Sequence, residues 1–170
     1  MCGGCRLILV TVGTHTAPFD RLLAHMDSIA AHSDEPVFMQ TGSSRFVPRF
    51  TKFERFLPEN DYDRLFKEAR VIVSHAGIGT ILRAAAQRKP LICVPRLREF
   101  REHWDNHQLE ICQEMSTTGS LSFVIDIRTL DMCKITAAVA PSFSSMPSHL
   151  AERVMFFLRN PISDAPNRQA

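Results

Sequence analysis

The chain has 170 residues, of which 45% are hydrophobic and 22% charged, values typical of a single globular domain. Its net charge of +2 is too small to indicate a nucleic-acid partner, and no apolar run approaches the roughly 20 residues that span a bilayer. The short apolar run over residues 7–12 lacks the pattern of a signal peptide, so we expect a cytoplasmic protein.

The cysteines do not indicate a disulfide framework, because their number is odd and their spacing irregular. They are Cys2, Cys5, Cys93, Cys112 and Cys133. Cys2 and Cys5 have the spacing of a metal-ligand pair, but no second pair with matching spacing follows. Residues 1–6 are therefore interpreted as a flexible extension, and Cys93, in an apolar run, as a small core residue.

Apolar runs and helical periodicities alternate through residues 7–140. The predicted strands are residues 7–12, 37–40, 52–57, 71–74, 91–94 and 121–127. The predicted helices are residues 19–31, 60–69, 78–88, 105–115 and 129–139. Asn60 or Asp61 is expected to cap the second helix. This alternation indicates right-handed βαβ units and an α/β fold, a Rossmann-like doubly wound parallel sheet.

Residues 141–170 are interpreted as a linker and a helix over residues 149–158, which packs on the domain or docks on a partner chain. In a doubly wound sheet, ligands bind beyond the carboxyl ends of the strands. Several polar or glycine-containing segments follow predicted strands and should line that edge. They are residues 13–15, 41–43, 74–79 and 95–96.

A glycine-rich turn follows the fourth predicted strand: Ser74-His75-Ala76-Gly77-Ile78-Gly79-Thr80. The amides at the start of the following helix could bind an anionic group, although a tight turn without a ligand is the alternative. Leu82 occupies the place of the third glycine of a dinucleotide fingerprint, and the motif is not on the first strand. Both facts argue against a nicotinamide-dependent oxidoreductase.

Two histidines and an amide-rich segment are candidates for ligand contact. His75 could donate a hydrogen bond to a phosphate oxygen or be a structural loop residue. His15 follows the first strand, is expected to project into the same cleft, and is the candidate general base. Asn106, His107 and Gln108 begin a helix, and their side chains suit sugar hydroxyls, although Asn106 could instead cap the helix.

Charged residues flank the amide-rich segment. Glu102 and His103 could form an acid–base pair. Arg96, Arg98 and Arg101 are interpreted as a cationic strip that faces a diphosphate or anionic lipid head groups, or else as a solvated loop. The histidines of the chain match no closed structural zinc site, so no metal is expected.

Three motifs resemble the glycosyltransferase family 28 C-terminal domain. They are Val10-Thr11-Val12-Gly13-Thr14, the glycine-rich turn, and Asp105-Asn106-His107-Gln108-Leu109-Glu110. The family pattern is also matched by the intervening segment Lys89-Pro90-Leu91-Ile92-Cys93-Val94-Pro95-Arg96. Within that family the chain is similar to the small cytosolic catalytic subunits of dolichol-linked N-acetylglucosaminyltransferases and to bacterial relatives in exopolysaccharide assembly. The resemblance covers roughly residues 7–116.

The resemblance implies one half of a GT-B glycosyltransferase, which holds a UDP-sugar carrying N-acetylglucosamine, glucuronic acid or a similar sugar. A membrane-anchored, Rossmann-like partner subunit would supply the other half and recruit the chain to the cytosolic face of the membrane. The acceptor would be a polyprenyl-diphosphate-linked sugar. Transfer would invert the anomeric centre without a cofactor or bound metal, because helix dipoles and amides stabilise the leaving diphosphate.

The resemblance also implies residue roles. Gly13 and Thr14 would approach the diphosphate or the cleft. The nucleotide and its phosphates would be cradled by Ser74, His75, Gly77, Gly79 and Thr80. The donor sugar would be contacted by Asn106, His107 and Gln108. Arg96, Glu102 and His103 are candidate contacts to the acceptor or the diphosphate. Many family members carry a ribose-binding glutamate after the glycine turn, whereas this chain has Arg83 there.

Two other functions fit the same residues. One is a non-catalytic nucleotide-sugar-binding subunit whose partner carries out the chemistry. The other is a sugar-nucleotide epimerase on a related fold.

Overall fold

The computed structural model describes residues 7–117 and 121–142. The predicted extension over residues 1–6 and the predicted helix over residues 149–158 lie outside the described residues. Within the described ranges, no helix is both long enough and apolar enough to cross a membrane.

Six parallel strands form one sheet in the order β3-β2-β1-β4-β5-β6, which confirms the predicted doubly wound fold. The strands are β1 (Ile8–Thr11), β2 (Val37–Gln40), β3 (Lys52–Glu54), β4 (Val71–His75), β5 (Leu91–Val94) and β6 (Ser122–Phe123). The helices are α1 (Asp20–Ala30), α2 (Glu59–Glu68), α3 (Ile78–Ala86), α4 (His107–Thr117) and α5 (Met132–Thr136).

The sheet separates two apolar clusters, because successive side chains of a strand point to opposite faces. In β1, Ile8 belongs to one cluster and Leu9 to the other. The first cluster includes Leu22 of α1 and Ile135 of α5. The second is built against α2, α3 and α4, with Ile81 among its fully buried members. Helices therefore cover both faces of the sheet.

Three of the differences between the predicted and the observed elements have a local reason. The prediction that Asn60 or Asp61 caps α2 is wrong, because the helix begins at Glu59 and Pro58 is its N-cap residue. The last strand ends at Phe123 because Asp126 folds the chain into a short 3-10 turn, its carboxylate accepting a hydrogen bond from the amide of Arg128. The Asp131 carboxylate likewise starts α5 by accepting from the amide of Lys134, so this helix is shorter than predicted.

The order of the strands reverses direction at β1, which lies between β2 and β4. Thr11, the last residue of β1, is the register partner of Gln40 on one side and of Ser74 on the other. Ligands bind in the crevice at such a switch point. The fold therefore places a candidate site beyond these three residues.

Candidate functional site

A cleft of about 490 Å³ opens at the carboxyl ends of β1 and β4. It brings together six of the residues predicted from the sequence: Gly13, Thr14, His75, Gly77, Gly79 and Thr80. Its wall also contains Arg83, which stands at the place of the ribose-binding glutamate, and residues that the sequence did not single out as cleft residues: Thr11, Gln40, Phe56, Leu57, Glu59 and Tyr62.

Gln40 shapes the loop after β1. Its Oε1 accepts from the hydroxyl of Thr11 (2.8 Å) and from the amides of Val12 (3.2 Å) and Gly13 (3.1 Å). Its Nε2 donates to the carbonyls of Gly13 (3.0 Å) and Arg55 (2.9 Å). Gln40 could have been found in the sequence as an amide side chain at the end of an apolar strand, because a buried amide requires hydrogen-bond partners.

The imidazole of His75 fills the space between two glycines. A Cβ atom on Gly13 would lie 2.6 Å from His75 Cε1, and one on Gly77 would overlap His75 Nε2. Gly13 also has a φ of +73°, a conformation that favours glycine. Burial, together with the charge of Arg96, lowers the pKa of His75 to about 3. The ring is therefore neutral at physiological pH and a poor proton acceptor there.

The start of α3 faces open space in the cleft. Gly77 is the N-cap residue, and its carbonyl accepts from the amide of Thr80 at 3.1 Å. The first amides of a helix have no intrahelical carbonyl, and the helix dipole makes this end electropositive. Apart from its chain neighbours and the backbone of its own helix, a Cβ on Gly79 would meet no atom of the described residues within 4 Å. This end of the cleft can therefore accept an anionic group against the backbone.

The other end of the cleft combines aromatic and charged side chains. Arg83 of α3 pairs with Asp63 of α2 and lies 3.8 Å from a carboxylate oxygen of Glu59. Its guanidinium carbon sits 5.0 Å from the ring centre of Tyr62. Phe56 is 53% exposed and lines the same wall. Aromatic faces suit a nucleobase, and carboxylates suit neighbouring hydroxyls.

His15 lies beside the cleft rather than in its wall. Its Nδ1 accepts a hydrogen bond from the amide of Ala17 at 3.0 Å, which leaves the proton of the neutral ring on Nε2. Its ring centre lies 5.0 Å from that of His103 and 5.3 Å from that of Trp104. The role of His15 as a general base stays a prediction.

His103, Asp105 and His107 form a cluster next to His15. Asp105 Oδ1 lies 2.9 Å from His103 Nδ1 and 2.5 Å from His107 Nδ1. Burial opposes ionisation of Asp105, but the hydrogen bonds from His107 prevail and lower its pKa. Burial and the neighbouring His107 lower the pKa of His103. Within residues 7–117 and 121–142, these three residues form a group whose ligand atoms all lie within 4.8 Å of one another and could hold a metal ion.

The amide side chains predicted to contact a sugar are engaged with the backbone. Asn106 is exposed, and its Oδ1 accepts from the amide of Arg98 at 3.0 Å. Gln108 is buried, and its Oε1 accepts from the amide of Arg96 at 3.1 Å. Ser74 is also buried, with its hydroxyl directed to the carbonyl of His75. Their predicted contacts to a ligand remain predictions.

The predicted exposed cationic strip does not include Arg96, which is 1% exposed. Its guanidinium donates to the carbonyls of Val12 (2.9 Å), Ala17 (3.0 Å) and Glu102 (3.2 Å), and burial lowers its pKa to about 10. Glu102 is buried too and accepts two hydrogen bonds, both 2.9 Å, from Arg21. Arg96 and Glu102 thus hold loops together instead of facing solvent.

The fold and the position of the cleft define a Rossmann-like domain of the type that forms half of a GT-B glycosyltransferase. Residues 7–140 match the glycosyltransferase family 28 C-terminal domain, and the chain belongs to this family. The resemblance stated from the sequence motifs is thereby confirmed.

Two curated relatives are similar to this chain. One is the UDP-N-acetylglucosamine transferase subunit ALG13 of Homo sapiens, 30% identical over an alignment 129 residues long that covers 69% of this chain. The other is the subunit of the same name from Mus musculus, 27% identical over an alignment 143 residues long that covers 78% of this chain. The matched part spans 11% of the length of each relative.

Solved structures show the same fold at low sequence identity. The glycosyltransferase SnogD from Streptomyces nogalater has a TM-score of 0.58 at 20% identity, and the match covers 94% of this chain and 41% of that one. MurG of Acinetobacter baumannii has a TM-score of 0.56 at 17% identity, and the match covers 94% of this chain and 51% of MurG. The solution structure of ALG13 has a TM-score of 0.53 at 16% identity, and the match covers 87% of this chain and 93% of that one.

Proposed function

We propose that this chain is the donor-binding half of a UDP-sugar glycosyltransferase. The observation that carries this proposal is the electropositive start of α3, which opens at Gly79 onto empty space in the cleft. The human relative is named a UDP-N-acetylglucosamine transferase subunit, which supports N-acetylglucosamine as the sugar. Glucuronic acid or a similar sugar would occupy the same site.

The donor would lie along the cleft. Its diphosphate would accept from the amides at the start of α3 and lie beside the neutral ring of His75. Its nucleoside would extend toward Tyr62 and Phe56, with the Glu59 carboxylate near the ribose hydroxyls. Arg83 replaces a carboxylate common in the family, but Asp63 neutralises it, so Glu59 is the acidic group left on this wall.

The chemistry would be an inverting transfer to a polyprenyl-diphosphate-linked acceptor, in exopolysaccharide or lipid-linked oligosaccharide synthesis. The amides of α3 would stabilise the negative charge that develops on the leaving UDP, a role filled elsewhere by a metal ion. A membrane-anchored Rossmann-like partner would supply the acceptor half. The match covers 41% of SnogD and 51% of MurG, so this domain corresponds to about half of each of those chains.

Substitution of Gly79 tests the donor site. Gly79→Asp places a carboxylate in the first turn of α3, where an acid and the loss of a glycine together raise the unfolding free energy by about 0.5–1 kcal/mol. The same carboxylate repels a diphosphate, so calorimetry should show at least about a tenfold loss of affinity for UDP-N-acetylglucosamine. Higher stability with lower affinity is the expected combination.

Gly79→Asn is the matched control, since it adds nearly the same volume without charge. It should reduce donor affinity less than Gly79→Asp does. Wild-type affinity in both variants would contradict the placement of the diphosphate. Gly77→Asp is a poorer test, because its Cβ would displace the ring of His75 and change the site itself.

A non-catalytic donor-binding subunit is the second candidate. The histidine in the cleft wall, His75, has a pKa of about 3 and is not suited to accept a proton from an acceptor hydroxyl. The base would then belong to the partner. Donor binding by this chain alone, with transfer only in the complex, fits both candidates. Loss of transfer but not donor binding in His15→Asn would favour a catalytic role for this chain.

A further inference from the structure

A surface formed by residues 45–55 combines exposed apolar and cationic side chains. We name it the basic-apolar patch, and it consists of Arg45, Val47, Arg49, Phe50, Phe53 and Arg55, all of them exposed. Val47 is 65% exposed and Phe50 63%, which is unusual for side chains of this kind. The functional site described above does not use these side chains.

The patch is one continuous surface. Val47 and Arg45 line a depression with Phe53 and Arg55. The same two residues also line a second depression with Phe50, against α1. The apolar side chains are therefore neighbours in space, with cations set between them.

The backbone beneath the patch is held in place by two carboxylates of α1. Asp20 Oδ1 accepts from the amides of Arg45 (2.8 Å) and Phe46 (3.0 Å). Asp27, only 4% exposed, accepts from the amides of Arg49 (2.9 Å) and Phe50 (3.0 Å). The loop thus presents its apolar side chains to water from a fixed backbone. Such preorganisation reduces the entropy lost when a surface binds.

The charge of the segment is as marked as its exposure. Residues 45–56 contain four cationic residues and one acidic residue, whereas the whole chain has a net charge of +2. Arg and aromatic side chains also occur at the centre of protein–protein interfaces, so the residue types alone do not identify the occupant. The excess of three positive charges over residues 45–56, set among exposed apolar side chains, matches a membrane surface, where rings enter the head-group layer and cations meet anionic lipid.

We infer that the basic-apolar patch binds directly to an anionic lipid surface. The chain continues from the patch into the cleft, since Phe56 directly follows Arg55 and lines the cleft wall. Contact through the patch would thus hold the mouth of the cleft close to the lipid head groups. This inference is independent of the proposed donor, because vesicle binding requires no nucleotide.

Co-sedimentation of the full chain with vesicles tests the inference. The chain should bind vesicles of phosphatidylcholine and phosphatidylglycerol in equal parts, and bind phosphatidylcholine alone far more weakly. Arg45→Gln with Arg49→Gln should weaken binding about thirtyfold, the loss expected for two cations at an anionic surface. Val47→Ser with Phe50→Ser should weaken it at least about tenfold. Added salt should weaken binding of the wild type.

Matched controls alter exposed residues elsewhere. Ile125→Ser with Val139→Ser removes exposed apolar side chains outside the patch, and Lys134→Gln removes an exposed cation. All three changes should leave vesicle binding unchanged. The inference is overturned if the wild type fails to sediment with anionic vesicles, or if patch and control variants behave alike. It is equally overturned if Val47→Ser with Phe50→Ser abolishes only self-association or binding to a protein partner.

Discussion

At the scale of the single residue, Arg96 connects parts of the chain that are far apart in sequence. Its guanidinium donates to the carbonyls of Val12 and Ala17, beyond β1, and its own amide is bonded to Gln108 of α4. A buried cation is stable only when it is paired and hydrogen-bonded. The carbonyls around it provide those bonds, and Glu102 supports its charge.

Arg96→Met should therefore lower the free energy of unfolding by about 3 kcal/mol or more, because it leaves buried carbonyls without donors. Urea denaturation followed by circular dichroism measures the loss. Arg98→Met is the control, since Arg98 is exposed, and its effect should stay within about 0.5 kcal/mol. Equal stability of the two variants would show that Arg96 does not hold these loops.

His75 makes stability depend on pH in a direction that can be worked out. Its pKa is about 3 in the folded chain, below the ordinary value of 6.5, so the unfolded chain binds the extra proton. The contribution of His75 is complete above pH 6.5 and is lost as the pH falls toward 3. Between pH 7 and pH 5 the wild type should lose about 1–2 kcal/mol more than His75→Gln does.

Urea denaturation at the two pH values measures this difference. The exposed residue His32 gives the control, since His32→Gln removes an imidazole away from the cleft. It should keep the wild-type dependence on pH. A wild-type slope retained in His75→Gln would show that other groups cause the loss.

At the scale of the element, the strands and the glycine turn could be predicted from the sequence, but the loop contacts could not. β1 and β4 are runs of apolar residues buried on both faces, so their pattern is local. Arg96 lies beneath the loop after β1 instead of pointing to solvent. Its position depends on carbonyls about 80 residues earlier in the chain, such as that of Val12. No local pattern contains that information.

The same reason explains the basic-apolar patch. Phe50 and Phe53 are apolar residues near a predicted strand, and such residues are usually assigned to a core. In the structure β3 lies at the edge of the sheet, and both side chains are exposed. Their exposure follows from the strand order and from the carboxylate of Asp27, which fixes the loop from another element.

Asp27→Asn tests how α1 fixes this loop. The carboxylate of Asp27 now accepts hydrogen bonds from the backbone amides of Arg49 and Phe50. In the variant, the side-chain NH₂ group would face one of these two amides, and two donors cannot form a hydrogen bond. We expect the unfolding free energy to fall by about 1–3 kcal/mol, because a buried charge-assisted pair of hydrogen bonds is lost. Hydrogen exchange at these two amides should accelerate.

Asp34→Asn is the control, because Asp34 is exposed on the loop after α1. It should change neither stability nor exchange in residues 45–50. If the patch binds lipid from a preorganised backbone, Asp27→Asn should also weaken vesicle binding while every patch side chain remains. Unaltered exchange at residues 49 and 50 would contradict the bracing role of Asp27.

At the scale of the whole molecule, the domain supplies a donor cleft but only one wall of a two-domain active site, if the proposed function is correct. The chain alone should bind UDP-N-acetylglucosamine yet transfer no sugar, since the acceptor and the second wall belong to the partner. Transfer assays with the chain, the partner and both together, on a polyprenyl-diphosphate-linked acceptor in vesicles, measure this. Gly79→Asp in the complex should raise the donor concentration needed for half-maximal transfer at least about tenfold. Transfer by the chain alone would refute the requirement for a partner, whereas transfer by the partner alone would remove this domain from the reaction.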